Sequence, residues 1–420
     1  MADRGWADSI LARIEELATI SERPDNLTRT YLTTAHKRAN DRALAWMREA
    51  GMTARVDEVG NAVGRYEGSD PRAPALMLGS HLDTVRNAGK YDGMLGVVAA
   101  IACVGRLGRE NRRLAFPIEV VGFANEEGTR FGATLTGSRG VAGLLDRANL
   151  DAKDAAGTTM AEAMREFGLD PAKVDAAARR PGEAAAYVEL HIEQGPVLEA
   201  NGLPLGVVTA ISGATRLRVE VRGLAGHAGT VPMGGRQDAL AAAAEAVLAI
   251  ENRCSSEAGL VGTVGILEAR PGAANVIPGD VRFSVDIRAE NDETRRRAVA
   301  DVLAEMATIA ARRRVVFTPE TYHQQNSVHC DPWLMDAIEA AIVGEGLRPM
   351  RLPSGAGHDA MVLKPLCDVG MMFMRCTAGI SHNPVEAVSG DDVDAAAGAL
   401  YRFITTFAPP RRKLARAGAR

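Results

Sequence analysis

The chain is short of the residues that mark secreted, fibrous and membrane proteins. Only five of its 420 residues are cysteine: Cys103, Cys254, Cys330, Cys367 and Cys376. They are scattered, odd in number and never spaced as CxxC. That excludes a disulfide framework and fits a reducing cytoplasm. Long apolar runs are missing too. The longest, around Met94–Val104, is broken by Gly96 and is too short to span a bilayer. The opening MADRGWADSI carries acids and no apolar segment, so no secretory signal is expected. Positive charge is scarce outside one place. The formal net charge is −4, yet Arg411, Arg412, Lys413, Arg416 and Arg420 crowd the last ten residues. The rest is therefore more acidic still and a poor partner for nucleic acid. The basic tail itself reads as a frayed end rather than a tether. Aromatics are only 4% of the chain, and no apolar side-chain pocket is legible. What remains is ordinary for a globular protein: 46% hydrophobic, 24% charged, 43 Gly and 19 Pro.

A chain of this length is too long for one ordinary core, so two domains are expected. Ile10, Leu11, Ile14, Leu17 and Ala18 share one helical face, and a second helix is expected over about 35–50, ending at Gly51. Ala75–Gly79 and Ile118–Ala124 read as buried strands whose carboxyl ends carry polar residues. The segment Gly93–Leu107, apolar on nearly every face, reads as a buried helix between them. Apolar strands alternating with helices imply a mostly parallel α/β sheet, whose ligands gather at the strands' carboxyl ends. From about 213 the texture changes. Thr215–Arg222 alternates, Gln237–Glu251 is an Ala-rich helix, Leu260–Glu268 and Val281–Arg288 are strands, Asp292–Arg313 is a charged helix and Val315–Thr321 a last strand. That β-α-β-β-α-β order is ferredoxin-like. The first texture returns with a helix near 332–345. The expected architecture is an α/β domain of residues 1–212 and 327–420, with an α+β domain of residues 213–326 inserted.

Five of the eight histidines stand in small, polar company: GSHLDT at 79–84, ELHIEQG at 189–195, AGHAGT at 225–230, GAGHDA at 355–360 and GISHNP at 379–384. Glycine permits close backbone approach, which suits a site better than a core. His81 followed by Asp83 suggests a metal ligand and a carboxylate that orients its ring. Asp92 precedes the buried helix, where aspartate commonly serves as an N-cap, and residue type alone favours that use. Glu126 and Glu127 leave an apolar strand side by side. Two adjacent carboxylates are costly unless a cation or a proton separates their tasks, although a solvated acidic loop is as common. His191, with Glu189, Glu193 and Gln194 around it, would otherwise be part of a polar edge strand, and His382 part of a turn. Imidazole and carboxylate donors without thiolates suit Zn²⁺ or Mn²⁺, with Co²⁺ and Ni²⁺ also accommodated.

The ordered series GSHLDTV, KYDGMLGV, FANEEGTRF, TGSR, ELHIEQGPVLE, AGHAGTVPM, NVIPG, DIRA, SGAGHDA and GISHNP resembles the dinuclear metallopeptidase/aminoacylase family. It is most similar to that family's hydantoinase/carbamoylase branch, over nearly the whole chain from LTRTYLT at 27–33. The resemblance implies two divalent ions per subunit, one held by His81, Asp92 and His191 and one by Asp92, Glu127 and His382. It implies Glu126 as general acid/base. It casts His227, on the inserted domain, as an oxyanion donor reaching a partner subunit's site, hence a homodimer through that domain. Gln194, Asn275 and Arg288 become substrate contacts, with Arg288 gripping a carboxylate. Gly357 and His358 are left as possible substrate or positioning residues. In the peptidase branch the position of His191 is commonly an acid, so HIEQG points to carbamoyl cleavage. The implied substrate is a ureido acid. Allantoate, from purine degradation, comes first on the LTRTYLT and KYDG segments. N-carbamoyl-L-amino acids and 3-ureidopropionate are the alternatives. A dipeptidase, an N-acyl deacylase and a non-catalytic dimeric binding protein are remoter readings.

Overall fold

The structure, a computed structural model, describes residues 5–409, so the basic residues from Arg411 onward lie outside it. The chain divides into two compact units. One holds residues up to Thr209, Cys330–Leu352 and the chain from His358; the other holds Ala210–His329 together with Pro353–Gly357. Pro353–Gly357 thus goes with the inserted unit, whereas the expected boundaries put it with the first.

The first unit is α/β. Its sheet runs in the order Thr53–Val56, Ala62–Tyr66, Ile118–Phe123, Ala75–His81, Ala184–Ile192, Asp368–Met374, Leu205–Ile211. The four strands from Ile118–Phe123 to Asp368–Met374 pair parallel, and antiparallel strands flank them. The central strands are mostly apolar and buried almost throughout on both faces, as a covered parallel sheet requires. His191 therefore lies in a central strand rather than an edge strand. Three helices supply much of the cover. Trp6–Ala18 buries Ile10, Ile14 and Leu17, Thr34–Glu49 ends just before Gly51, and Met94–Arg109 is buried almost all round. That last helix lies close to the sheet because Gly96 has no side chain. A Cβ there would fall 2.1 Å from the Leu190 carbonyl oxygen.

The inserted unit is a small antiparallel α+β domain. Its strands lie in the order Leu267–Arg270, Asp280–Ala289, Gly213–Arg222, Val316–Gln325, with Leu260–Thr263 also paired to Asp280–Ala289. Helices Ala239–Ser255 and Asp292–Arg313 pack on this sheet, giving the ferredoxin-like order. The expected strand over Leu260–Glu268 is in fact two, separated at Val264–Ile266. Both pair with Asp280–Ala289, and Ser284 bridges the gap by exchanging hydrogen bonds with Ile266.

Candidate metal centre

Donor side chains collect where the central strands end. His81 is the last residue of its strand, and its Nδ1 lies 2.9 Å from the Asp83 carbonyl oxygen. His191 is held the same way, Nδ1 to the Ile192 carbonyl at 2.8 Å. A carbonyl only accepts, so each Nδ1 carries the proton and each Nε2 faces inward. Both Nε2 atoms meet the same oxygen, Asp92 Oδ1, at 3.3 Å from His81 and 3.2 Å from His191.

Asp92 is not a helix cap. The residue before Met94–Arg109 is Gly93, with φ 69° and ψ −53°. The Met94 amide donates to the Asp92 carbonyl at 2.8 Å, closing a γ-turn centred on Gly93. The turn swings the Asp92 carboxylate away from the helix and under the imidazoles. Only glycine fits, since a Cβ on residue 93 would lie 2.5 Å from the His81 ring. The second oxygen, Oδ2, accepts from Ser381 Oγ at 2.6 Å and Gln194 Nε2 at 2.7 Å, and lies 3.2 Å from His382 Nε2. His382 Nε2 is also 3.4 Å from Glu127 Oε1. Asp92 thus belongs to two donor groups, His81–Asp92–His191 and Asp92–Glu127–His382, whose ligand atoms lie within 4.8 Å of one another.

One expected contact differs. The Asp83 carboxylate does not orient His81, lying 4.0 Å from its Nδ1. It accepts instead from the Glu126 and Glu127 amides, at 3.0 and 3.3 Å, and so fixes the turn that presents both glutamates. Gln194, expected on a substrate, stands beside the donor groups, with its Nε2 donating to Asp92 Oδ2. The chain also bends sharply at the site: Asn125, Gln194 and His382 have φ of 59°, 59° and 56°. Left-handed backbone is uncommon for such residues and concentrates at functional sites.

The remaining expected residues are spread over both units. His358 is buried, its ring centroid 4.7 Å from that of His191, and Gly357 before it is exposed. His227 and Asn275 are exposed neighbours in the inserted unit, where His227 pairs with Val276 and the Ala228 amide donates to the Asn275 carbonyl. Arg288, in the same unit, has its Nε and Nη2 engaged by Asp286 at 3.1 and 2.9 Å, and its Nη1 donates to the Gly355 carbonyl at 2.8 Å. Ser381, Glu386 and Asp359 were not singled out in sequence, and Glu189 only as a neighbour of His191. All four are close to the centre, and Glu386 gave a signal only as a lone acid four residues after His382.

The charges report what the centre would hold. Burial opposes ionisation of Asp92, yet His191, His382 and His81 outweigh it and keep its carboxyl well below the usual range. Burial likewise opposes protonation of His81 and His191, and Asp92 more than offsets it, raising both. Asp92 and Glu127 push His382 up to about 10. Burial drives Glu126 well above the ordinary carboxyl range, with Glu127, Asp359 and Asp83 adding to the effect against His81. Three imidazoles attract protons because acids converge on them. A divalent cation that displaces those protons meets the same acids, and the imidazole and carboxylate set suits such an ion.

Comparison with known proteins agrees with this chemistry. The profile described as Peptidase family M20/M25/M40 matches residues 77–406. The N-carbamoyl-L-amino acid amidohydrolase of Geobacillus stearothermophilus is 42% identical, covering 93% of this chain and 96% of its own. The crystal structure of an amidase of the hydantoinase/carbamoylase family from Burkholderia multivorans superposes with a TM-score of 0.89 at 32% identity, over 95% of this chain and 97% of that one. The chain belongs to peptidase family M20/M25/M40, in its hydantoinase/carbamoylase branch. It is a hydrolase of C–N bonds. The allantoate deiminase of Arabidopsis thaliana is 40% identical over 94% of this chain and 82% of its own. Among the described residues no helix is long and apolar enough to cross a membrane.

Proposed function

We propose that the protein is a dinuclear-metal amidohydrolase that cleaves the carbamoyl C–N bond of a ureido acid, with allantoate as substrate. The observation that carries the two-ion reading is Asp92, one carboxylate shared by two donor groups. His81, Asp92 and His191 would hold one ion, and Asp92, Glu127 and His382 the other. Zn²⁺ and Mn²⁺ suit the donors best, and Co²⁺ and Ni²⁺ are compatible. Bound there, the ions would supply Lewis acidity and lower the pKa of water in the cleft.

Glu126 has the proton affinity for the remaining work. Its carboxylate takes a proton from the attacking water and returns it to the departing nitrogen. The water oxygen bonds to the ureido carbon, the bond to the substituted nitrogen breaks, and the carbamate released decomposes to carbon dioxide and ammonia. His227 donates to the developing oxyanion, a contribution of about 3–4 kcal/mol for one such donor. Asn275 and Arg288 hold the substrate, Arg288 through its carboxylate. His227 acts across a homodimer formed through the inserted domain.

Allantoate is favoured by the LTRTYLT and KYDG segments and by the deiminase relatives at 40–42% identity. The second reading, N-carbamoyl-L-amino acids, is favoured by the Geobacillus relative at 42%. Ammonia release from allantoate, N-carbamoyl-L-methionine and 3-ureidopropionate, measured with Zn²⁺ and with Mn²⁺, separates them. Turnover of N-carbamoyl-L-methionine alone would refute the allantoate assignment. Glu126→Gln should abolish turnover and keep both ions. Mixing inactive Glu126→Gln and His227→Ala proteins should restore about a quarter of wild-type activity if sites are shared across a two-fold dimer, and none if they are not.

A further inference from the structure

We infer that Glu386 is a positioning residue that locks the loop carrying His382 against the loop carrying Asp92, and so sets the second donor group. The inference rests on the two-ion reading above. Glu386 is 3% exposed, and no Lys or Arg pairs with it among the described residues. A buried carboxylate without a cation is costly, so its hydrogen bonds must account for its place. Oε1 accepts from two successive amides, Tyr91 at 2.7 Å and Asp92 at 3.1 Å. Oε2 lies 3.0 Å from Ser381 Oγ, which itself donates to Asp92 Oδ2 at 2.6 Å. One side chain thus holds the Asp92 backbone directly and the Asp92 carboxylate through Ser381. The chain makes room for it: a Cβ on Gly89 would fall 2.3 Å from the Glu386 carboxyl carbon.

The need for such a lock is visible in His382. Its side chain is 49% exposed and its backbone is left-handed. Little packing fixes it, unlike the buried His81 and His191. Ser381 precedes it in the chain and Glu386 follows it by four residues, so the contacts to Tyr91, Asp92 and Ser381 bracket the imidazole. They hold the segment in which His382 Nε2 stands 3.2 Å from Asp92 Oδ2.

Mn²⁺ titration of the chelator-stripped full-length protein by calorimetry, with ammonia release followed in parallel, tests this. Wild type should bind two ions. Glu386→Ala should bind the weaker of them about 10- to 100-fold less tightly, the usual effect of losing a partner behind a ligand, with the tighter ion little changed. Its kcat should fall at limiting Mn²⁺ and recover at saturating Mn²⁺ with KM unaltered, which a general folding defect would not do. Glu386→Gln keeps an acceptor for both amides and a donor for Ser381, and should stay within about threefold of wild type. Ser381→Ala, which leaves the backbone contacts intact, should weaken the same ion and serves if Glu386→Ala does not fold. Two ions bound by Glu386→Ala and Ser381→Ala as tightly as by wild type overturn the lock. So does a Glu386→Gln protein as impaired as Glu386→Ala. Wild type that binds fewer than two ions overturns the two-ion reading and the lock with it.

Discussion

Gly93→Ala should damage the centre and the fold together, and the structure says by how much. The residue is the middle of a γ-turn at φ 69°, ψ −53°. Left-handed backbone costs an L-residue about 1–2 kcal/mol, and this conformation lies outside even the small left-handed well. The new methyl would stand 2.5 Å from the His81 ring, deeper than any contact can tolerate. The ring must swing aside, and its 2.9 Å hydrogen bond to the Asp83 carbonyl is lost, at about 1 kcal/mol. The total is about 2–3 kcal/mol, and a large unit loses about 2–4 °C of Tm per kcal/mol. The ion held by His81, Asp92 and His191 should weaken at least about tenfold, because one of its donors has moved. Thermal melts with and without chelator, with Zn²⁺ or Mn²⁺ titration, measure both effects. His81→Ala is the comparison for ion affinity: it removes the same donor and should weaken the same ion without any strain at residue 93. A Gly93→Ala protein with wild-type melting and ion stoichiometry would refute the reasoning.

Three further outcomes are expected. Burial, with Arg29 nearby, pushes the His36 imidazole down to about 3 from 6.5. The folded protein then binds fewer protons than the unfolded chain between those values, so stability falls as pH drops from about 6.5 towards 3, by about 2 kcal/mol at pH 5. His36→Gln should flatten the fall of Tm below pH 6.5, and an unchanged slope would exclude His36 as its cause. Arg29 is fully buried and donates to the carbonyls of Leu82, Leu17 and Ile20 at 2.7–2.9 Å, so Arg29→Met should cost about 3–5 kcal/mol by chemical denaturation. Arg288→Lys cannot reproduce the two-point hold on Asp286, and should raise KM at least about tenfold with less effect on kcat; an unchanged KM would remove Arg288 from substrate binding.

Much of this was legible where one residue's chemistry decides the local structure. Helix Asp292–Arg313 lies where expected, because Asn291 caps its start and left-handed Arg314 ends it. The strand expected over Leu260–Glu268 was misread because its interruption depends on Ser284, on the neighbouring strand. His81, His191, Glu127 and His382 stood out by type and company, and their donor atoms do converge. Asp92 did not, because cap and ligand differ only in the backbone conformation of Gly93. The Asp83 carboxylate was misplaced for a related reason. Two residues past a strand end, the chain turns its carbonyl towards the imidazole, and the side chain points to the next loop. Glu386 follows no periodicity, and the two amides it accepts from, at Tyr91 and Asp92, are almost 300 residues away in sequence.

The left-handed backbone at Gln194 and His382 bears on how the protein can change. Both conformations suit glycine, which would relax each bend by about 1 kcal/mol or more. Glycine would also delete the amide that donates to Asp92 in one case and the imidazole in the other. A library screened for heat resistance alone should therefore enrich Gly at 194 and 382, and the same library screened for turnover should purge it. The two selections pull in opposite directions at the same two codons, which makes this loop pair the place where the enzyme's tolerance to heat and its activity are exchanged.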